Sequence, residues 1–507
     1  MNLRLALLRH CAFALSLVAV IPTADAGVPP NDSDFDASFG VGGSVRYATT
    51  LDGVRRRADD VVLLTRSDGD FVLVGASEGA GTDRLEIRRI RRATGQLEPS
   101  FGSAGLVQVP AAFVGPSGGA AIDADDAVYV FGALSNAAGN SDFAVMRFRA
   151  DGSRDLDYGV GGFAIVDFGP IAPGFGRERA GAAKIGADGK LVLVGSSYDQ
   201  TFNNGLFAIA RLRRDGTIDT SFSPPSGRIA FPIIPGREAV ASALDIDPRD
   251  GTIYVAGSVE TGVASNEVDP ALAKLTPAGT LDPSFCPALD VTDGLCVTHP
   301  SASGGRRTFI HAPANAGFGN DSINSVLVDR IQNRVLLGGS LTNTNAGSQA
   351  PKLSFGIVSA RTSDGRDQPS FKPVVQLFGP PGTYLSFISS ITAMRFDSAQ
   401  RLMLVGDFDA VTSQGSISLA LVMRLRPNLT LDTSFFDAFN FEAQSGHVYF
   451  QIADFGPVSY TRASTVAMDG SRIVFAGEAD SATPNASDFY LARLRGTPDP
   501  IFAHGFD

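Results

Sequence analysis

The sequence predicts an all-β protein: a seven-bladed β-propeller of four-stranded blades, its ring closed by an N-terminal strand (43–50) that joins the last blade. Three observations carry this expectation. A six-residue motif with an aromatic residue recurs along the chain, an apolar run ending in Gly falls once between successive aromatics, and no long helical periodicity is visible beyond residue 26.

The aromatic marker stands at Phe39, Phe101, Tyr158, Phe222, Phe285, Phe371, Phe435 and Phe502, so eight markers enclose seven intervals of 57 to 86 residues. Its copies include LEPSFG (97–102), IDTSFS (218–223), LDPSFC (281–286) and LDTSFF (431–436). The Asp or Ser of such a motif bonds to backbone two residues on and fixes a turn. The ring is large enough to fill the gap between neighbouring blades.

The second motif ends at Gly75, Gly132, Gly195, Gly257, Gly339, Gly406 and Gly477, as in DGKLVLVG (188–195). Asp-Gly turns bounding short runs of Val, Ile, Leu and Phe are hairpin chemistry. The run is apolar at nearly every position, which predicts a strand buried on both faces. A third segment carries a basic residue, as in LFAIARLRRDG (206–216). Each unit thus reads as four strands, the first before the Asp-Gly turn and the fourth after the aromatic, as in GLVQVP (105–110). Small sheets stacked about an axis make a propeller, and closure leaves few exposed edges. The last unit ends at IFAHGFD without a fourth strand, and GSVRYATT (43–50) is spare after the first marker, hence the expected closure. A linear β-solenoid is the alternative; it needs caps at both ends.

The chain of 507 residues is 19% charged, with net charge −11 and no Trp. Such an acidic chain is a poor partner for nucleic acid, whose phosphates need Lys and Arg. Arg4 and Arg9, an apolar stretch (11–22) and the small residues Ala24 and Ala26 read as an export signal. The expected organisation is a signal peptide (1–26), a short linker (27–34) and one propeller domain (35–507) with a long insertion at about 286–322. The expected address is periplasmic or extracellular, as a monomer with no membrane insertion after signal removal. In that oxidising setting Cys286 and Cys296 are expected to pair.

The strings DGKLVLVGSS (188–197), LFAIARLRRDGTIDTSF (206–222) and DYGVGGFAIVDF (157–168) resemble the delta-60 repeat family of exported bacterial proteins. The resemblance covers nearly the whole mature chain and departs most in the fifth interval. It implies a repeat architecture and an extracytoplasmic address, and it implies no catalytic residues.

The recurring base of the third strand (Arg89, Arg147, Arg211, Lys274, Arg424, Arg493, with Arg361 displaced) is expected to pair with the acid before each marker: Glu98, Asp157, Asp219, Asp282, Asp432 and Asp499. GASEG (75–79) matches a nucleophile pattern that needs a strand-to-helix turn, so Ser77 reads as part of the repeat. Carboxylates at Asp123–Asp126 and Asp245–Gly251 read as turns, with calcium as the other possibility. Function on repeat folds tends to sit where an insertion breaks the pattern. His299, Arg306, Arg307 and His311 are therefore the candidate ligand-binding residues. No catalytic set, cofactor or metal site is assigned. The expected function is a binding or interaction scaffold for an unknown protein or extracellular ligand rather than an enzyme. The alternatives are a secreted lyase or hydrolase acting on an extracellular polymer, and a calcium-stabilised adhesin.

Overall fold

The computed structural model describes residues 34–51, 54–55, 57–78, 84–110, 119–135, 140–169, 174–199, 204–261, 268–286, 304–309, 321–343, 352–366, 386–412, 415–432, 434–435, 447–450, 460–481 and 486–496. The apolar runs are strands, and each pairs antiparallel with its neighbour in the chain. The first group is Arg57–Thr65, Phe71–Glu78, Arg84–Ile90 and Leu106–Pro110. The second is Gly119–Ile122, Val128–Ser135, Ser141–Phe148 and Phe163–Val166; the third is Phe175–Ile185, Leu191–Asp199, Gly205–Leu212 and Arg228–Phe231. The fourth is Ala239–Ile246, Ile253–Glu260, Val268–Leu275 and Arg306–Thr308. Ser322–Asp329, Arg334–Asn343 and Lys352–Arg361 form the fifth; Ser386–Phe396, Leu402–Thr412, Gly415–Leu425 and His447–Phe450 form the sixth. The last comprises Thr461–Asp469, Arg472–Asp480 and Ser487–Leu494, with Ser44–Tyr47 on its outer edge.

The arrangement is all-β and propeller-like, and four parts of the expectation are corrected. Among the described residues no sheet is closed or strongly curled, against the expected ring closure. Ser44–Tyr47 pairs with Phe489–Ala492 as one more edge strand of an open sheet, so among the described residues the backbone hydrogen bonds form no continuous ring. The first strands of successive groups meet through side-chain packing instead, and Thr461–Asp469 meets Arg57–Thr65 in the same way. The expected strand 43–50 is shorter than drawn, since Thr50–Leu51 pairs with Val54–Arg55. The second and third groups are not separate sheets, because a parallel bridge from Ser141 to Arg177 joins them into eight strands. The fifth group has three strands among the described residues; its marker Phe371, like Phe502, lies outside them.

The repeat glycines sit where two strands come too close for a side chain. Opposite Gly257 the first strand bulges between Ala241 and Ala243, and a Cβ there would lie 1.8 Å from the Val240 carbonyl oxygen. Gly477 meets the Arg462 carbonyl at 1.9 Å across an equivalent bulge, and Gly195, Gly339 and Gly406 repeat the pattern. A bulge adds one residue and bends the strand, so the glycine is a steric consequence of that bend.

The aromatic marker is a clasp between consecutive groups. Phe222 is fully buried, its ring lies under Arg211 with the guanidinium carbon 4.9 Å from the centroid, and it packs on Gly279 of the next group. The amide of Ser223 donates to the Ala278 carbonyl at 2.7 Å. Phe101 on Gly152, Tyr158 on Gly216, Phe285 on Gly365 and Phe39 on Gly95 repeat the contact. Hydrophobic clusters span consecutive groups rather than staying within one, as where Val194 and Phe207 pack with Phe222, Val255 and Ala273.

The expected base–acid pairs form at Arg211–Asp219 (2.8 Å), Lys274–Asp282 (2.8 Å) and Arg424–Asp432 (2.7 Å). Elsewhere the partner differs. Arg147 takes Asp155 at 2.9 Å, because the paired acid stands three residues before the aromatic, whereas Asp157 is 94% exposed. Arg89 takes Asp68 and Asp70, leaving Glu98 to Arg91. Arg493 takes Asp36, supplied by the N-terminal segment that also brings Phe39; Asp499 lies outside the described residues.

Candidate functional site

The residues expected to bind ligand are not brought together among the described ones. His299 and His311 lie outside them. Arg306 and Arg307 belong to the fourth strand of the fourth sheet and not to a free insertion. Arg306 donates to the Pro232 carbonyl at 2.8 Å, and Arg307 is buried with its guanidinium 4.1 Å from the centre of the Phe309 ring. No disulfide joins two described residues, which corrects the expectation of a visible Cys286–Cys296 staple. Cys286 is buried and disulfide-bonded, and Cys296 lies outside the described residues.

The other candidates have local roles. Asp123 accepts from the amides of Asp125 and Ala127 and from the Tyr129 hydroxyl, which is turn chemistry. Asp247 is bound to Arg249. No group of metal-ligating side chains is found among the described residues. Ser77 is fully buried, and a strand continues through it.

A different cluster emerges at the ends of the sixth and seventh sheets, away from the Asp-Gly turns. Asp407 and Asp409 follow Gly406 on Leu402–Thr412, two residues apart and so on one face of the strand. Arg462, at the start of Thr461–Asp469, reaches Asp409 at 2.8 Å and Asp407 at 3.9 Å. Its guanidinium carbon is 5.0 Å from the centre of the Tyr460 ring, and Arg57 approaches the same ring at 5.8 Å. The Tyr460 hydroxyl donates to Glu478, the Ser418 hydroxyl donates to Asp409, and the Tyr460 amide donates to Asp480 at 3.0 Å. The cluster is open to solvent: Arg462 is 40% exposed and Asp409 30%, while Asp407 is 11% exposed beneath them.

Burial pushes the Asp407 carboxyl up to about 6; the neighbouring Asp409 adds to the rise and Arg462 opposes it. Tyr460 is pushed up by burial and by Glu478, so its hydroxyl keeps its proton. Burial acts to lower Arg462, but Tyr460, Asp409 and Asp407 outweigh it and raise its pKa, so it stays a cation. The cluster therefore offers a proton-holding carboxyl, an ion-paired carboxylate and a fixed cation around one opening, the ingredients of acid–base chemistry.

Sequence reading missed these five residues, Asp407, Asp409, Tyr460, Arg462 and Glu478. The signal was a departure within the repeat: Gly195, Gly257 and Gly339 are each followed by Ser, whereas Gly406 is followed by Asp-Phe-Asp and Gly477 by Glu-Ala-Asp.

Residues 124–157, 186–222 and 249–285 match a family model described as "Domain of unknown function (DUF5122) beta-propeller". These stretches are the second, third and fourth repeat units. No curated protein matches the sequence. Among solved structures, the chain is similar to the polysaccharide lyase Uly1, with 10% identity, TM-score 0.45, and coverage of 89% of this chain and 97% of that one. It is similar to the GH93 α-L-arabinofuranosidase of Fusarium graminearum at 8% identity and TM-score 0.39, covering 89% and 97%. The β-propeller domain of the Trilobed protease from Pyrococcus furiosus gives 10%, 0.38, and 88% and 99%. The expectation that this chain is not an enzyme is withdrawn. At these TM-scores the likeness carries no argument about activity or substrate.

Proposed function

We propose that the chain is an exported, delta-60-type propeller enzyme, a lyase or hydrolase acting on an extracellular polymer at the Asp407–Asp409–Tyr460–Arg462 cluster. One observation carries the reading: two carboxyls on one strand stand in unlike environments. Asp407 holds its proton towards neutrality, and Asp409 is paired with a cation. Breaking a polymer link by either chemistry needs an acid for the leaving oxygen and a base for a proton. In hydrolysis that proton comes from water; in elimination it comes from carbon. Asp407 is the acid and Asp409 the base, while Arg462 holds both carboxyls in place. Export is supported by Arg4, Arg9, the apolar stretch 11–22 and Ala24–Ala26.

The test is chain shortening of soluble extracellular polysaccharides followed by size-exclusion chromatography, with Asp407→Asn and Asp409→Asn as controls. General acid–base groups contribute about 10²–10⁴-fold, so each variant loses at least 100-fold while melting near wild type. Binding without cleavage, unchanged in both variants, would instead establish the scaffold reading. That reading has an observation of its own: the recurring bases and acids are used up in clasps between sheets and leave no repeated catalytic set.

A further inference from the structure

We propose that the seam where the third strand of the second group meets the first strand of the third is a pH-operated joint, closed while the Glu178 carboxyl holds a proton and parted when it gives the proton up. The joint stands apart from the carboxylate cluster and does not depend on cleavage.

Neighbouring groups touch at one recurring place, near the start of a third strand. There Ser487 Oγ accepts from the Ala58 amide at 2.9 Å, Ser389 Oγ accepts from the Phe355 amide at 3.0 Å, and the Asp321 amide donates to the Val268 carbonyl at 3.0 Å. Between the second and third groups Ser141 bridges to Arg177, and its hydroxyl donates to the Glu178 carbonyl at 3.0 Å. Glu178 pairs with Ser197, two residues past the repeat glycine Gly195. At that register the first, fourth, sixth and seventh groups carry Ala58, Ala239, Ser389 and Thr461, all buried and none able to ionise.

Glu178 is therefore a long acid set into a seam built for small side chains, with none of its surface exposed. Its Oε1 accepts from the Ser197 hydroxyl at 3.1 Å, and its Oε2 meets no donor among the described residues. Across the seam it hydrogen-bonds the Asp142 carboxyl. Such a bond exists only while one of the two carboxyls carries a proton. The groups that face it supply no cation. Asp142 comes from Ser141–Phe148, Asp167 follows Phe163–Val166, and Leu191–Asp199 presents Ser197. Arg177 and Arg179 flank it on its own strand, where alternation turns their side chains to the other face. Tyr129 of Val128–Ser135 and Asp245 of Ala239–Ile246 are engaged towards the turns, with Asp123 and Lys184.

A carboxylate buried beside a second acid and without a cation is costly, so the closed seam keeps the proton. Burial, opposed by Ser197 and helped by Asp142 and Asp167, raises the Glu178 carboxyl to about 7. Losing the proton sets two anions face to face across a contact of one bridge and one side-chain bond. Water entering between the strands relieves both charges. Below that pH the second and third groups form one eight-stranded unit; above it they part into two of four strands.

The experiment is hydrogen–deuterium exchange of the full mature chain at about pH 5.5 and about pH 8.5, with rates corrected for the intrinsic effect of pH. Peptides covering 141–145 and 176–180 report the seam, and peptides from the Ser487–Ala58 contact are the reference. A carboxyl of pKa about 7 when closed and 4.5 when open makes opening about 30-fold more frequent at the higher pH. Seam protection should fall by that factor while the reference stays within twofold. Glu178→Gln keeps the shape and removes the charge, so its seam should be equally protected at both pH values. If Glu178→Gln melts below wild type, Glu178→Ala, the residue of the first and fourth groups, is read instead with the same expectation. A seam change under threefold in wild type, an equal loss at the reference contact, or a change that survives in the variant read overturns the joint.

Discussion

Replacing Arg211 by Met should loosen the junction between the third and fourth sheets by about 2–3 kcal/mol. Arg211 is 13% exposed and holds four things at once. Its Nε reaches Asp219 at 2.8 Å, one terminal nitrogen donates to the Pro277 carbonyl at 2.8 Å, the other reaches Ser221, and its plane covers Phe222. Pro277 belongs to the next group, so the contact crosses the junction. Removing one partner of a fully buried pair costs about 3–5 kcal/mol. The expected loss is smaller because Asp219 keeps Lys190 at 2.8 Å and the Met methylenes still cover the ring. The assay is urea denaturation of wild type, Arg211→Met, Lys190→Met and the double variant, where the double loss should exceed the sum of the single ones because Asp219 is then stranded. Burial acts to raise Asp219, but hydrogen bonds from Lys190, Ser221 and Arg211 outweigh it and hold its pKa below the ordinary carboxylate value. A lowered folded pKa gives stability that is full above the unfolded value and is lost as pH falls through the folded one. The gap between wild type and variant should therefore be widest near neutrality and close in acid. A variant as stable as wild type at pH 7, or a gap that widens in acid, would refute the clasp.

Three further outcomes follow. Gly257→Ala should destabilise by about 1–3 kcal/mol, typical of forced overpacking, because a Cβ would meet the Val240 carbonyl at 1.8 Å; calorimetry showing an unchanged melting temperature would remove the bulge argument. Cleavage should need protonated Asp407, so kcat/KM should fall as pH rises through about 6 and the fall should vanish in Asp407→Asn; a flat profile would assign the acid elsewhere. Glu178 is fully buried and burial raises its pKa to about 7 from 4.5, with Ser197 opposing and Asp142 adding to the rise. Above the unfolded value the unfolded chain ionises first, so stability declines up to about pH 7. Glu178→Gln should then gain about 3 kcal/mol at pH 7 and nothing at pH 4; a variant that gains no stability at pH 7 would contradict this.

The elements legible in the sequence are those written several times. Second-strand runs such as Leu191–Asp199 are buried almost throughout, as their unbroken apolarity required. The pairing of Ser44–Tyr47 with the last sheet was readable because a spare strand at one end matched a missing one at the other. Harder to read was which acid meets which base. Asp155 and Asp157 both precede Tyr158, and only the turn geometry turns one inward and leaves the other in water. The bulges opposite Gly257 and Gly477 were invisible as well, since the extra residue lies in the first strand, the least uniform segment of each unit.

The repeated and the unrepeated charges do different work. A charge copied at every junction must satisfy the same packing each time. Arg211, Lys274 and Arg424 accordingly end on an acid and an aromatic ring whatever surrounds them. Such a residue cannot be changed for a ligand without loosening a junction. Asp407 follows Gly406 where the first five units carry Ala or Ser (Ala76, Ala133, Ser196, Ser258 and Ser340), so those sheets hold without a charge there. A buried or crowded charge that the fold does not need still carries its desolvation cost. Charge directly after the repeat glycine only in the sixth and seventh units, at Asp407 and Glu478, is the physical reason to look for chemistry there and not in the long insertion.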